Sequence, residues 1–538
     1  MKLRIGTRGS DLALWQARHV ASRLEAVGFE IEIVVLKTRG DRIDDVPLHK
    51  VEGKAFFTAE IETALLEKRV DLAVHSHKDL PVESPAGLAI VAVPERADAG
   101  EVLLLARPAH APDASFLPIV SGARVGTSAP RRTEQLQTLR PDLVVESLRG
   151  NVPTRVRKLQ EGQYDAIVLA AAGIDRLGLD LGELVRVPLP RAWFVPSPSQ
   201  GALAIQARSP EEAWVPRVRA ALHDATTAEA IAAERELLAR AGGGCSLPLG
   251  CGVERVGDTW QAHAFLGCDH PRPGIGARWS TGTGTTPRAA VDAAAGPLLE
   301  GGATGAGPLA SLRVAIAGSA ANGTRIGRRL EALGAKVLHE AVLAHEDVDA
   351  DLAGALERLR MGDALIVTSK QAARRLAGSR VPAGVLVAAV GPATAAALAQ
   401  AGLTAEITGT AGARALAESL PLAAGSRVLF PCAAEPLDEL ENALTARGVT
   451  VERLVLYRTT ARPAAQLASG VDARVLMSPS AVAAVAALGD DGALRVALGE
   501  TTAQALAARG LDHRTPAGTG AEAVAALLHQ ISPEGALR

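Results

Sequence analysis

The chain has 538 residues, with 57 Lys and Arg against 59 Asp and Glu and a formal net charge of −2. That length is too great for one core and predicts several domains, while the balanced charge removes the bulk case for a nucleic-acid partner. Hydrophobic residues make up 48% and aromatics only 3%, and the four cysteines are too unevenly spread for a disulfide framework, so we expect an α/β protein with small-residue helix packing in a reducing cytoplasm.

No apolar run has the length of a membrane span, and MKLRIGTRGS enters directly on a strand-like pattern without a signal peptide's apolar core. Lys2–Ile5 reads as that strand, followed by Thr7-Arg8-Gly9-Ser10 and a helix over Leu12–Leu24 with Ser10 as N-cap. An arginine beside free N–H groups at a helix start favours an anion. Ile31–Leu36 reads as the next strand and ends in Lys37-Thr38-Arg39-Gly40-Asp41. Lys50–Phe57, with Lys54, then precedes an amphipathic helix through Ile61, Leu65 and Leu66.

Asp71–Val82, DLAVHSHKDLPV, is where the chemistry is expected. Leu72, Ala73 and Val74 suit a buried parallel strand, and the abrupt change to His75, Ser76, His77, Lys78 and Asp79 reads as its carboxyl end opening into a crevice. Three readings of the polar run stand side by side. It is a solvated turn, or a metal site using His75 and His77, which lacks a Cys or acidic cluster to complete it, or a working carboxylate at Asp79 beside the cation Lys78.

A second α/β unit begins near Pro94. The strand at Arg124–Gly126 leads to Thr127 and Ser128, then to a helix opened by Arg131 and Arg132. Val144–Leu148 leads to Arg149 and Arg155, and Tyr164–Ala170 to Arg176. Arginine grips carboxylates bidentately, so several aimed at one cleft imply a substrate rich in them. Phe194–Ala204 reads as a return into the first domain. A helix over Glu229–Arg240 runs into Gly242-Gly243-Gly244 and Cys245, a thiol on a loop able to reach a cleft, or a small apolar cysteine in a turn. Cys245 and Cys251 are too isolated from other ligands for zinc, and no metal is expected.

GTRGSDLALWQA, KTRGD, KVEGKAFFTAEIE, AVHSHKDLP, VGTSAPRR, SLRGNVPTR, YDAIVLAAAG and GGGCSLPLG, in that order over about residues 1–300, resemble porphobilinogen deaminase (hydroxymethylbilane synthase). The resemblance implies two periplasmic-binding-protein-like domains plus a small α+β domain. It also implies a dipyrromethane cofactor held by thioether to Cys245, and head-to-tail condensation of four porphobilinogen molecules into hydroxymethylbilane with loss of ammonia. Carried over residue by residue, Asp79 is the catalytic carboxylate, with Lys78 beside it. Lys54, Asp79, Thr127, Ser128, Arg131, Arg132 and Arg155 would hold the cofactor, and Arg8, Ser10 and Arg149 the substrate. Ala129-Pro130 departs from the family's more frequent Ser-Leu, but Pro130 suits a helix's first turn.

Gly296–Ser311 reads as a Gly/Ala/Pro-rich linker. Beyond it lie a strand at Arg313–Ala317, a helix at Arg325–Leu333, and an internal duplication. Arg313–Ile316 parallels Arg427–Phe430, Val367–Ala372 parallels Met477–Val482, and Val390–Thr394 parallels Leu498–Thr502. Residues 312–530 resemble uroporphyrinogen-III synthase, a two-domain α/β family that inverts the last ring of hydroxymethylbilane and closes the macrocycle, mainly by holding conformation. Tyr457 matches that family's tyrosine, and Thr368, Ser369, Ser478, Ser480 and Thr502 sit where carboxylates could be met. Ala317-Gly318-Ser319 and Pro431-Cys432-Ala433 depart from the family's pattern.

The expected layout is 1–94 with 195–215, then 95–194, then 216–296, a linker at 297–311, 312–342 with 465–530, and 343–464. The expected protein is a cytoplasmic monomer whose partners are porphobilinogen and hydroxymethylbilane, with neither nucleic acid nor membrane. Its rivals are a chain with deaminase activity alone and a non-catalytic anion-binding protein.

Overall fold

The computed structural model describes residues 1–37, 58–208, 212–243, 247–267, 276–300, 306–319, 323–410, 412–436, 438–462, 465–489 and 492–532. Lys54 and Cys245 therefore lie outside the described residues. Two compact units are formed, and the sheets in both are of the expected α/β class.

The first unit contains three sheets. One has five strands in the order Glu30–Leu36, Lys2–Arg8, Leu72–Ser76, Leu203–Ala207 and Ala89–Ala92. Lys2–Arg8 runs parallel to Glu30–Leu36 and Leu72–Ser76, whereas Leu203–Ala207 is antiparallel to Leu72–Ser76. The core forms because Leu3, Ile5, Leu72, Val74 and Ile205 alternate onto one face and meet Ala17, Val20 and Leu24 of the helix Asp11–Glu25. Ser10 caps that helix, accepting from Ala13 N–H at 3.4 Å. A second five-stranded sheet has the order Val144–Glu146, Arg124–Gly126, Ala166–Ala170, Glu101–Leu105 and Val185–Leu189.

The chain crosses between these sheets near Ala97 and again near Gly201, where the two crossings touch. Gly201 has φ +82°, and a Cβ there would stand 2.5 Å from the Ala97 carbonyl oxygen. Only glycine fits such an approach. The third sheet is an antiparallel meander, Leu249–Val256, Thr259–Leu266 and Arg278–Gly284, packed on the helices Ala225–Arg240 and Pro287–Glu300.

The linker expectation needs correction at both ends. The helix Pro287–Glu300 continues through Gly296 and Pro297, because Leu298 is fully buried in the small sheet's core. At the other end Leu309 is fully buried and donates its N–H to the Leu333 carbonyl. Leucines at both ends of an otherwise linker-like composition act as anchors.

The C-terminal helix Ala521–Ile531 belongs to the first unit. His529 Nδ1 accepts from the Phe116 N–H at 3.2 Å, Ser115 Oγ donates to the Ala526 carbonyl at 3.0 Å, and the His529 ring lies 4.2 Å from that of Phe116.

The second unit is organised on a nine-stranded sheet ordered Ile407–Thr408, Leu386–Ala389, Ala364–Val367, Arg427–Ala433, Thr450–Ala461, Lys336–Asp347, Arg313–Ser319, Ala473–Leu476 and Leu494–Ala497. Its two longest strands change partners along their length. Thr450–Ala461 runs parallel to Arg427–Ala433 over its first part and antiparallel to Lys336–Asp347 over its last five residues, from Tyr457 on. Arg474, on Ala473–Leu476, and Glu340, on Lys336–Asp347, form a buried ion pair at 2.8 Å.

Candidate functional site

The strand Leu72–Ser76 is buried on both faces, which accounts for its unbroken apolar run. The chain leaves the sheet after Ser76 in a single 3₁₀ turn, His77–Asp79. Side chains one residue apart therefore point in different directions. His75 turns into the core, with Nε2 3.1 Å from Gln206 Oε1, and burial lowers it to about 4. Burial, reinforced by Arg235, brings His77 to about 4 as well. Both are buried, and no group of three or more His, Cys, Asp or Glu able to hold a metal occurs among the described residues.

Lys78 turns the other way, donating to Gln200 Oε1 at 3.0 Å. Burial and the positive charge of Arg132 loosen its proton to about 8, against the pull of Asp79 and Glu101. Asp79, at the end of the turn, is exposed to solvent. Asp79 and Glu101 both act on Lys78, so the turn of the first sheet meets the first strand residue of the second.

Glu101 organises the far side. It accepts from Arg131 Nη2 at 2.5 Å and from Arg132 Nε at 3.1 Å and Nη2 at 2.7 Å. Burial would raise its pKa, but Arg132, Arg131 and Lys78 overcome that and hold it at about 2. Arg131 also donates to the Val195 carbonyl and Arg132 to that of Val168. The paired arginines thus stand at the opening of the helix Pro130–Leu139, with Pro130 in its first turn. They are braced by a buried carboxylate that the sequence reading did not include.

Arg155 donates from Nε to the Gly150 carbonyl at 2.8 Å, and its pKa falls to about 10 through burial, Arg132 and Arg149, opposed by Asp79. Among the described residues Arg149 carries a buried Nη2 without a hydrogen-bond partner. Arg132, Arg149, Arg155, Lys78 and Asp79 accordingly share one field. Ser128 donates to the Leu148 carbonyl at 2.6 Å, and the buried Thr127 accepts from Ala129 N–H at 3.3 Å, so these hydroxyls shape the turn. Arg176 donates to the Gly201 carbonyl at 2.7 Å. Arg8, half-buried at the end of its strand, stands beside the Ser10 cap.

Two pairings that sequence reading missed tie the segment after this turn, and the crossing near Ala97, to the third sheet's helix. Arg235 donates to the carbonyls of Leu80, Pro81 and Val82, directly after Asp79. Arg96 grips Glu234 bidentately at 2.6 and 3.0 Å, and Glu234 also accepts from the Ser199 and Val253 N–H groups. Gly243, two residues before Cys245, stands against this same segment: a Cβ there would be 3.5 Å from Val82 Cγ2. Cys251 is buried, and burial raises its thiol well above the ordinary range, consistent with a core position.

In the second unit Tyr457 occupies the residue at which its strand exchanges partners. It is buried, and its hydroxyl donates to Ser369 Oγ at 3.0 Å. The His345 ring meets Tyr457 edge-on at 5.5 Å. Ser369 caps the helix Lys370–Arg375 and Ser478 caps Pro479–Leu488. Thr368 is half-buried, Ser480 exposed, and Thr502 buried within the first turn of Glu500–Ala507. The structure brings Tyr457 and Ser369 into contact.

Residues 3–215 match the family model described as porphobilinogen deaminase, dipyrromethane cofactor binding domain, and residues 324–526 match that of uroporphyrinogen-III synthase HemD. The porphobilinogen deaminase of Trichlorobacter lovleyi is 45% identical over 49% of this chain and 83% of its own length. That of Nitratidesulfovibrio vulgaris is 49% identical over 48% of this chain and 79% of its own. A mutant uroporphyrinogen III synthase from the extreme thermophile Thermus thermophilus is 25% identical over 38% of this chain and 92% of that chain, at a TM-score of 0.28.

Proposed function

For a chain that belongs to the porphobilinogen deaminase family and continues into a uroporphyrinogen-III synthase domain, we propose how named residues share the two reactions. The chain is a bifunctional tetrapyrrole-biosynthesis enzyme. It condenses four porphobilinogen molecules into hydroxymethylbilane with loss of ammonia, then closes that product, with its D ring inverted, to uroporphyrinogen III.

The observation that carries the deaminase reading is the meeting of Lys78 and Asp79 with Glu101, Arg132 and Arg155 in one field. Breaking the C–N bond of porphobilinogen sends the electron pair off with ammonia and leaves a cationic azafulvene. We assign to Asp79 the stabilisation of that cation and of pyrrole N–H groups. Lys78, loosened to about 8, is assigned the transfer of the proton released when the attacked pyrrole regains aromaticity.

The dipyrromethane cofactor supplies the primer that receives the incoming pyrroles. The donor set suits a group carrying several carboxylates: Arg131, Arg132 and Arg155 are fixed by backbone or carboxylate contacts, and Arg149 has a buried Nη2 unpartnered among the described residues. We assign the thioether to Cys245, supported by the seating of Gly243 on Val82. Lys54, Thr127 and Ser128 complete the cofactor's surroundings, and Arg8, Ser10 and Arg149 take the acetate and propionate groups of substrate.

In the synthase, Tyr457 is assigned departure of the hydroxyl, with Ser369 orienting its O–H. Thr368, Ser478, Ser480 and Thr502 are assigned the substrate's carboxylates. The domain limits proposed are those drawn from sequence, with the third deaminase domain extended to Glu300 and the helix Ala521–Ile531 placed with the first unit instead of the synthase. No helix among the described residues is long and apolar enough to cross a membrane, and we propose a monomer acting in the cytoplasm. Tethering raises the synthase's effective concentration where hydroxymethylbilane forms, before it cyclises unaided.

The test is isomer analysis of the uroporphyrinogen made by purified protein from porphobilinogen. Type III should predominate. Type I alone would leave only the deaminase active.

A further inference from the structure

A cavity of about 310 Å³ lies behind the catalytic turn, between it and the helix Ala225–Arg240. Neither Lys78, Asp79 nor any of the arginines assigned to cofactor or substrate lines it. Its walls include an apolar stretch, with Leu80, Val82 and Ile231 among them. Two charged groups, two histidines and a serine interrupt them: Glu62, Arg235, His77, His223 and Ser84.

The polar groups are unusual in what they lack. Arg235 donates to the carbonyls of Leu80 (3.4 Å), Pro81 and Val82 (3.0 Å), and Glu62 accepts from Gln206 Nε2 at 3.2 Å and Thr58 Oγ1 at 3.4 Å. Among the described residues, each charge therefore meets only neutral partners. His77 is 5% exposed, and among the described residues its Nδ1 has no hydrogen-bond partner. An unpartnered buried ring nitrogen is a costly feature in a folded protein. A cation and an anion sharing one partly apolar cavity, neither with a counter-ion among the described residues, match a ligand carrying both charges on an apolar body.

We propose that this cavity is a second ligand site for a small amino acid with an apolar body, its carboxylate taken by Arg235 and His77 and its ammonium by Glu62. Arg235 also holds the segment directly after Asp79 to the helix leading towards Cys245. A bound ligand would therefore stiffen the connection between the carboxylate and the cysteine loop.

The experiment uses full-length holoenzyme and three probes of one shape, L-leucine, 4-methylvalerate and isoamylamine, followed by calorimetry and ligand-observed NMR. L-leucine should bind at least tenfold more tightly than either singly charged analogue. Ala228→Phe, which fills the cavity from its wall, should abolish binding while leaving deaminase turnover unchanged. Glu62→Gln should weaken L-leucine at least tenfold and leave 4-methylvalerate unweakened, which keeps the test valid if Ala228→Phe folds poorly. Binding should also persist after porphobilinogen has filled the catalytic cleft. The proposal is overturned if L-leucine does not bind, if 4-methylvalerate binds as tightly, if Glu62→Gln leaves L-leucine binding unchanged, or if porphobilinogen displaces it.

Discussion

In the deaminase unit a buried Glu101 lies between two guanidiniums and within the field of Lys78, whereas in the synthase unit the groups that meet are two hydroxyls, of Tyr457 and Ser369. The synthase does contain a buried ion pair, Arg474 with Glu340. That pair holds a strand and the Ala468 backbone together. The difference follows the chemistry. Condensation passes through cations and handles many carboxylates, so it calls for charge fixed in place. Ring inversion is chiefly a matter of which atoms are held near which, and shape with a few hydroxyls serves it.

Removing the groups on which the deaminase reading rests should give the largest effects. Cys245→Ser should carry no dipyrromethane adduct in intact-protein mass spectrometry and make no hydroxymethylbilane; an adduct on that variant would remove Cys245 from its role. Asp79→Asn should fold and carry cofactor yet turn over about 10²–10³-fold more slowly, the scale for losing one fixed electrostatic stabiliser. Near-normal turnover would erase the contrast between the units. Neither variant should change the isomer formed when hydroxymethylbilane is supplied directly.

Glu101→Gln leaves Arg131 and Arg132 buried without their counter-charge, and should cost about 3–5 kcal/mol in urea unfolding along with most deaminase activity. Glu340→Gln removes the carboxylate charge that Arg474 meets at 2.8 Å and should also lower stability in urea unfolding. Below its melting point, however, it should leave the isomer ratio unaltered, since its carboxylate serves only structure.

Acid offers a gentler probe of the first unit. His75, His77 and His529 are each lowered to about 4 from 6.5, by burial foremost. The unfolded chain therefore binds their protons first. Stability is full above about pH 6.5 and declines as pH falls towards 4, by up to about 1.4 kcal/mol per pH unit for each histidine. Melting of the first unit should track this window, and His529→Phe should flatten it. A melting temperature independent of pH between 6.5 and 4.5 would contradict these burials.

Much of the candidate charge cluster was legible because its charges follow strand ends, as at Lys78, Asp79, Arg149 and Arg155, and because Ser10 and Pro130 announce helix starts locally. Its supports were not. Glu101 opens the apolar run EVLLL and reads as a strand edge, and Arg96 finds Glu234 across 138 residues. Arg235 works through backbone carbonyls, which leave no mark on the sequence. The continuation of Pro287–Glu300 through a proline was hidden because propensity argued against it, whereas the burial of Leu298 decided it. In the synthase, small-residue helices and isolated hydroxyls carry little pattern, and Tyr457 meets Ser369 across 88 residues.

The smallest effect should come from Tyr457→Phe, and it tests the comparison most closely. The ring fills a buried position against His345 and the strand exchange, so phenylalanine retains packing and deletes one O–H donated to Ser369. Loss of such a hydrogen bond is worth about 0.5–1.5 kcal/mol. Uroporphyrinogen III formation from hydroxymethylbilane should then slow about two- to tenfold, with type III still the main product. A fall of a thousandfold would mean that the hydroxyl stabilises charge as Asp79 is proposed to do, and that the two sites differ less than their residues suggest. No change at all would reduce Tyr457 to packing and leave conformation as the synthase's whole contribution. The size of this one step therefore measures how far ring closure depends on chemistry beyond holding the substrate still.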